Sequence, residues 1–113
     1  MAEQTTDPPF LGAADDMAAQ SHRAAAFLKA LSHEARLLIL CHLVEGDKTV
    51  TELVSLMSLR QAAVSQHLAR LRADGLVTAR RDGKSVVYTI TDDRALRLVG
   101  LLHELFCHHR AGP

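Results

Sequence analysis

The strongest constraint on the fold of this chain is a change of apolar period within residues 58–88. Four apolar residues of the first half are spaced to share one face of a helix: Leu59, Ala63, Leu68 and Leu71. Gly75 then suits the left-handed position that commonly ends a helix. Two β-rich runs follow around Asp82-Gly83, a sequence that favours a tight hairpin turn. We therefore predict a helix over residues 60–74 and a β-hairpin directly after it.

A short helix, a second helix and a hairpin in this order predict a winged helix-turn-helix, a DNA-binding fold whose second helix enters the major groove. Small or planar hydrogen-bonding side chains suit base edges there, and cations in the hairpin suit phosphates or an adjacent minor groove. The candidate base contacts are Ser65, Gln66 and His67, the candidate positioning residues are Arg60, Gln61 and Arg70, and the candidate hairpin contacts are Arg80, Arg81 and Lys84. A polar helix face alone is more often a solvated surface, so the interpretation depends on the hairpin and on the local charge.

The charge of the chain is concentrated rather than uniform. The full sequence has 13 basic and 13 acidic residues, but residues 60–84 hold six basic and two acidic ones, a local balance of +4. The remainder holds seven basic and eleven acidic residues, a balance of −4. A local positive surface attracts a phosphate backbone, while an acidic remainder limits non-specific binding.

The helices before the recognition helix can also be placed from the sequence. Asp15 and Asp16 suit the start of a first helix, because negative charge is favourable at a helix N-terminus. Ser32 is the expected cap of a second helix. Its residues 37–44 are apolar almost all round, which predicts a buried central helix. Thr49-Val50-Thr51-Glu52 fits the capping box of a short third helix.

A last helix is expected after the hairpin, with Thr91 or Asp92 as its cap. Its apolar stripe is more typical of a structural face than of a ligand site: Leu96, Val99, Leu102, Leu105 and Phe106. The expected organisation is a flexible tail over residues 1–14, one domain over residues 15–109 and a short tail over residues 110–113. The fold is thus expected to be mainly helical with a hairpin wing, in the order helix–helix–helix–helix–strand–strand–helix.

Composition excludes several classes of protein. Hydrophobic residues make up 48% of the 113 residues, enough for a small aliphatic core that a second subunit would help to complete. No apolar run approaches the ~18 residues of a membrane span, and the N-terminal sequence lacks a secretory pattern, so a cytoplasmic protein without membrane contact is expected. Neither CxxC, nor HExxH, nor a glycine-rich phosphate loop occurs, so neither an enzyme nor a bound cofactor is expected.

Three segments together resemble the ArsR/SmtB family of bacterial repressors. AVSQHLARLRADGLV (residues 63–77) and RRDGKSVVYTI (residues 80–90) are similar to the recognition helix and wing of that family. LSHEARLLILCHLVEG (residues 31–46) is similar to its second helix, and the resemblance covers residues 17–107. It implies a homodimer, joined through the first and last helices, that represses an operator in double-stranded DNA and releases it when an inducer binds.

The two cysteines and Arg60-Gln61 resemble the persulfide-sensing branch of that family, the sulfide-responsive repressors. In that branch the matching cysteines, here Cys41 and Cys107, form a polysulfide link within one subunit when a persulfide or polysulfide inducer accumulates, and operator binding is lost. A cytosolic dithiol is normally reduced, so such a link would form transiently and regulate the protein rather than stabilise its fold. A simple disulfide needs Cα atoms ~4.4–6.8 Å apart, whereas added sulfurs span more. Cys41 alone would be better explained as a small buried apolar residue, so the hypothesis depends on the pair.

A metal-responsive repressor for zinc, copper or arsenite is the main alternative. The family's metal-binding pattern on the last helix fails from both Asp92 and Asp93, and the third helix has no cysteine. His103, Cys107 and His108 could still form an improvised site, since thiolate and imidazole suit zinc or copper. Two further alternatives are a thiol redox enzyme or sulfur carrier, and a protein-interaction module that keeps the fold only as a scaffold.

Overall fold

The computed structural model describes the backbone of residues 8–107 and the side chains of residues 16–107. Its elements are α1 (Pro8–Leu31), α2 (Glu34–Glu45), β1 (Lys48–Thr49), α3 (Val50–Leu56), α4 (Gln61–Ala73), β2 (Val77–Asp82), β3 (Ser85–Ile90) and α5 (Asp93–Phe106). The predicted order of four helices, a hairpin and a last helix is confirmed. β1 is an additional strand that was not predicted, because two residues are too few to show an alternating pattern.

The chain divides into two compact units, one ending at Ser32 and the other beginning at His33. In the first unit, α1 begins at Pro8, earlier than the expected start at Asp15 and inside the range expected as a tail. Proline is tolerated in the first turn of a helix because its missing N–H has no helical partner there. Residues 1–7 and 108–113 lie outside the described residues.

The core of the second unit is aliphatic, as the composition predicts. Its buried side chains come from every helix after α1 and from the sheet: Ile39, Leu40, Leu43, Leu53, Met57, Val64, Leu68, Leu71, Leu76, Val77, Val87, Ala95 and Val99. α2 contributes three of them, yet Leu38 is 41% exposed. α2 thus contributes to the core, as predicted for a buried central helix, but its Leu38 side is exposed.

The caps of the helices agree with the sequence at two places and differ at a third. The Thr49–Glu52 capping box of α3 is confirmed, with bonds of 3.1 Å from the Glu52 N–H to the Thr49 hydroxyl and 2.8 Å from the Thr49 N–H to the Glu52 carboxylate. Asp92 caps α5 by accepting from the Ala95 N–H at 2.9 Å.

The predicted cap of α2 is wrong. His33, not Ser32, occupies the cap position, and its ring Nδ1 accepts from the Ala35 N–H at 3.2 Å. The Ser32 hydroxyl instead donates to the carbonyl of Lys29 at 2.9 Å. Serine readily bonds to nearby backbone, and here that bond turns back to the preceding helix.

The three strands form one antiparallel sheet in the order β1-β3-β2. The turn of the hairpin lies one residue after the predicted Asp82-Gly83: Asp82 pairs with Ser85, so the turn is Gly83-Lys84, with Gly83 at φ +66°. Glycine at the first turn position with positive φ is what a type II′ hairpin requires. Arg80 pairs with Val87 and Arg81 with Val86. Since side chains alternate along a strand, the two neighbouring arginines point to opposite faces of the wing.

The apolar stripe of α5 is divided between two surroundings. Ala95 and Val99 are fully buried, whereas Leu105 and Phe106 are 58% and 69% exposed. Neighbouring exposed apolar residues of this size are typical of an interface. None of the helices in the described part of the chain is both long and apolar enough to span a membrane.

Candidate nucleic-acid interface and cysteine pair

α4 turns the predicted recognition residues outward. Val64, Leu68 and Leu71 are fully buried and hold one side of the helix in the core. The prediction that Leu59 and Ala63 share this face is wrong, because Val64 takes that place while Leu59 is exposed. Five of the six predicted α4 contacts are exposed: Arg60, Gln61, Ser65, Gln66 and Arg70. α4 therefore offers a polar surface supported by a rigid apolar one.

His67, the sixth predicted contact, has different surroundings. Its ring lies 4.6 Å from that of His33, centroid to centroid, and is half-buried. Burial lowers the pKa of His67, and the charges of His33 and Arg36 lower it further. The imidazole is therefore neutral at neutral pH. It packs against the cap residue of α2, so Ser65 and Gln66 are the more accessible candidates for base contacts.

Arg72 is a candidate contact that was not singled out from the sequence. Gln61, Ser65 and Arg72 fall on one line along α4, since steps of four and seven residues nearly return to the same angle in an α-helix. Arg72 is exposed and has no ion pair within the described part of the chain. Arg70, by contrast, contacts Asp74 at 3.4 Å. The spacing from Gln61 was the signal that identifies Arg72.

The wing cations differ in how they are held. The Nη1 atom of Arg80 lies 3.1 Å from Oδ2 of Asp47, in the turn before β1. Arg81 and Lys84 are exposed, and neither has an ion pair to any described residue. Of the three predicted wing contacts, Arg80 is therefore paired with Asp47, whereas Arg81 and Lys84 have no ion pair among the described residues.

The two cysteines are both reduced and both half-buried. Cys41 lies within α2, and Cys107 follows the last residue of α5, where its N–H donates to the carbonyl of His103 at 2.8 Å. The pKa of Cys41 is raised by burial, then by the charge of Cys107 and by that of Glu45. This electrostatic effect indicates that the side chains of Cys41 and Cys107 lie near each other.

A second contact fixes how α2 and α5 run past each other. His103 Nε2 lies 3.0 Å from a carboxylate oxygen of Glu45. Glu45 follows Cys41 by one turn of α2, and His103 precedes Cys107 by one turn of α5. The two helices are therefore antiparallel here, and each cysteine lies one turn from the Glu45–His103 contact. The hydrogen bond from His103 is the largest cause of the lowered pKa of Glu45.

The residues of the alternative metal site are only partly described. His103 is engaged by Glu45, Cys107 lies close to Cys41, and His108 falls outside the described residues. Within residues 16–107, no group of three or more His, Cys, Asp or Glu side chains is placed to hold a metal ion.

Comparisons with known proteins identify related chains. The model of the family described as "Bacterial regulatory protein, arsR family" matches residues 33–79. The chain is 44% identical over 92 residues to the transcriptional activator HlyU of Vibrio cholerae serotype O1, covering 81% of this chain and 85% of HlyU. It is 40% identical over 93 residues to the biofilm growth-associated repressor of Xylella fastidiosa (strain Temecula1 / ATCC 700964), covering 82% of each. The crystal structure of the transcriptional repressor BigR from Xylella fastidiosa matches with a TM-score of 0.78 and 39% identity, over 84% of this chain and 94% of that one.

Proposed function

The chain belongs to the ArsR family of bacterial regulatory proteins, and from that premise we propose that it is a homodimeric repressor that leaves its operator when reactive sulfur species link Cys41 to Cys107. Membership in the family makes it a DNA-binding transcriptional regulator rather than an enzyme. The proposal adds that the chain represses transcription, that reactive sulfur species are the inducer, and that a link between Cys41 and Cys107 causes release from DNA.

Repression is the direction that we propose, although relatives of both kinds are known. HlyU is named an activator and the Xylella fastidiosa protein a repressor. A regulator that loses its affinity for DNA on modification most simply acts as a repressor, because it blocks transcription only while it occupies the promoter. A promoter fused to a reporter tests this directly, because deletion of a repressor raises expression and deletion of an activator lowers it.

The observation that supports the sensing half of the proposal is that Cys41 and Cys107 lie near each other on the antiparallel helices α2 and α5. Each thiol is half-buried rather than enclosed, so a small sulfur compound has access to both. The Glu45–His103 contact holds the helices together beside the thiols. Two reduced thiols held this way can be joined within one subunit without unfolding either helix.

The proposed chemistry is two successive thiol exchanges with an organic trisulfide, R–S–S–S–R. The first thiolate attacks the central sulfur, forms Cys–S–S–S–R and releases RS⁻. The second thiolate attacks the middle sulfur of that adduct and releases another RS⁻, which leaves Cys41–S–S–S–Cys107. The dithiol loses two electrons, the trisulfide gains them, and one sulfane sulfur stays in the link. Both steps need thiolate, so the raised pKa of Cys41 slows the step that this residue carries out at neutral pH.

The link would act on DNA binding through the subunit contact. The exposed Leu105 and Phe106 lie next to Cys107 at the end of α5, in the helix expected to join two subunits. Fixing that end of α5 to α2 changes the surface offered to the partner and hence the spacing of the two recognition helices. A coupling of ~1–3 kcal/mol lowers affinity by about 5- to 150-fold, which is enough to empty an operator.

The test is a DNA-retardation experiment with the reduced full-length protein and fragments upstream of neighbouring genes. Treatment with an organic trisulfide should release the fragment, and reduction should restore binding. Parallel treatments with peroxide and with zinc distinguish the inducers. Release by zinc alone would favour the metal-responsive alternative, and turnover of the trisulfide without DNA would favour a thiol enzyme.

A further inference from the structure

We propose that Asp47 withholds Arg80 from DNA, so that the wing offers Arg81 and Lys84, but not Arg80, to the phosphate backbone. The inference rests on the DNA contact proposed above and goes beyond it. It assigns a role to Asp47, which lies outside both the recognition helix and the hairpin. It also distinguishes Arg80 from Arg81 and Lys84, although the sequence alone gives no reason to separate these three cations.

The sheet itself brings Asp47 to Arg80. Thr49 and Arg80 both pair with Val87, so the three side chains form one row on the same face of the sheet. Asp47 lies two residues before Thr49 and therefore on that face. Its carboxylate oxygen Oδ2 is 3.1 Å from the guanidinium Nη1. Hydrogen bonds from Thr89 and then from Arg80 lower the pKa of Asp47, so the carboxylate is charged at neutral pH.

The surroundings of Arg80 are acidic. The face opens into a cavity of about 660 Å³ that is lined by Asp47, Glu52 and Asp82 together with Arg80. Three carboxylates against one guanidinium leave this face negatively charged. A phosphate that approaches Arg80 must displace Asp47 and meet the other two carboxylates. An exposed ion pair is weak by itself, so the withholding depends on this whole face, of which Asp47 is the member in contact.

The opposite face of the hairpin has the opposite character. Arg81 points there because it is the next residue along β2, and the β2 and β3 residues that share its side include no acid. Arg81 and Lys84 have no ion pair to any residue in the described part of the chain. The hairpin thus presents Arg81 on one face and the paired Arg80 on the other, and Lys84 lies in the turn between the two strands.

Salt dependence measures the difference directly. Affinity falls as the salt concentration rises, and each phosphate contact makes the slope of log affinity against log salt concentration steeper by about 0.9. Binding of the full-length reduced protein is measured by fluorescence anisotropy on a duplex of mixed sequence about three turns long, across a salt series. The variants are Asp47→Asn, Arg80→Ala, the two combined, Arg81→Ala, Lys84→Ala, and Asp82→Asn as a matched control that removes a carboxylate of the same face without freeing Arg80. Circular dichroism and thermal melting check that each variant is folded.

We expect Asp47→Asn to steepen the slope by about 0.9, which is a ~3.5-fold greater loss of affinity between about 50 and 200 mM salt. Arg80→Ala should leave the slope unchanged in the native chain and should cancel the steepening in the double variant. Asp82→Asn should steepen the slope by less than Asp47→Asn does, because Asp47 still contacts Arg80, and Arg81→Ala should reduce the slope by about 0.9.

Three results would overturn the inference. If Arg80→Ala reduces the slope as much as Arg81→Ala does, Arg80 contacts DNA in the native protein. If Asp82→Asn steepens the slope as much as Asp47→Asn, the effect is one of general charge and Asp47 has no special role. If Arg81→Ala and Lys84→Ala both leave the slope unchanged, the proposed wing contact itself is wrong, and the inference fails with it.

Discussion

Glu45 and His103 join α2 to α5 at 3.0 Å, one helical turn from Cys41 on the first helix and one turn from Cys107 on the second. The contact places a carboxylate beside a half-buried thiol and fixes the antiparallel alignment that makes the two cysteines neighbours. It also gives His103 a structural partner, which a metal would have to displace. The Glu45–His103 contact therefore affects both the packing of α5 against α2 and the surroundings of the two thiols.

The first prediction concerns the reactivity of Cys41. Replacing Glu45 with Gln removes a negative charge that raises the pKa of Cys41, so the pH profile of alkylation by iodoacetamide should move to lower pH. The shift should be partial, because burial is the largest cause of the raised pKa. The measurement uses the Cys107→Ser background, so that only Cys41 reacts.

The matched control for that experiment is Glu104→Gln, which removes an exposed carboxylate from α5. Its profile should overlay that of the parent. A profile of Glu45→Gln that stays in place, or moves to higher pH, would show that Glu45 does not act on the thiol.

The second prediction concerns stability at mildly acidic pH. Burial, followed by His33 and Arg36, lowers the pKa of His67 in the folded chain. The unfolded chain therefore binds the proton more readily, and the contribution of neutral His67 to stability is complete above the unfolded pKa, about 6.5, and lost as the pH falls below it. His67→Gln should flatten the fall of the free energy of unfolding between about pH 7 and 5, as measured by urea titration at several pH values.

His22→Gln, at an exposed histidine of α1, is the control for His67→Gln and should retain the native pH dependence. An unchanged slope in His67→Gln would mean that the His33–His67 pair does not set the acid sensitivity of the fold.

The third prediction concerns the start of α3. Thr49→Ala removes the hydroxyl that accepts from the Glu52 N–H and should lower the free energy of unfolding by about 1 kcal/mol. Thr51→Ala, at an exposed position within the same helix, should change it by less than about 0.5 kcal/mol. Equal effects of the two substitutions in chemical denaturation would contradict the capping account.

The fourth prediction concerns the subunit contact. Leu105→Glu places a charge on the exposed apolar end of α5, where an interface would have to bury it. Sedimentation should show a monomer, and DNA affinity should fall with it. Leu56→Glu alters a side chain of α3 that is similarly exposed, at 50%, and should leave the mass of the assembly unchanged. A dimeric Leu105→Glu protein would place the subunit contact elsewhere.

Local patterns were sufficient for much of the fold. The recognition helix, the hairpin turn and the Thr49–Glu52 capping box are each specified by residues within a few positions of one another, so periodicity and turn chemistry predict them. The inward face of α4 was less well predicted, because Ala63 and Val64 are both apolar and only the packing against α2 and α3 selects Val64.

The features that could not be predicted depend on contacts between distant residues. Asp47 and Arg80 are 33 positions apart, and their pairing follows from a sheet whose first strand has only two residues. The contact between Glu45 and His103 spans 58 positions and follows from how α5 packs. The cap of α2 depends on the ring of His33, which accepts from the Ala35 N–H. Cap preferences alone favour the neighbouring Ser32 over a histidine.

The most direct test of the central claim is mass spectrometry of the intact protein combined with DNA retardation, after treatment with an organic trisulfide. The native chain should gain one sulfur and lose two hydrogens, peptide mapping should join Cys41 to Cys107 within one subunit, and DNA should be released. Cys41→Ser and Cys107→Ser should both bind DNA when reduced and keep it after treatment. Normal release by either variant, or a linked native protein that still holds DNA, would show that the link between the cysteines does not control DNA binding.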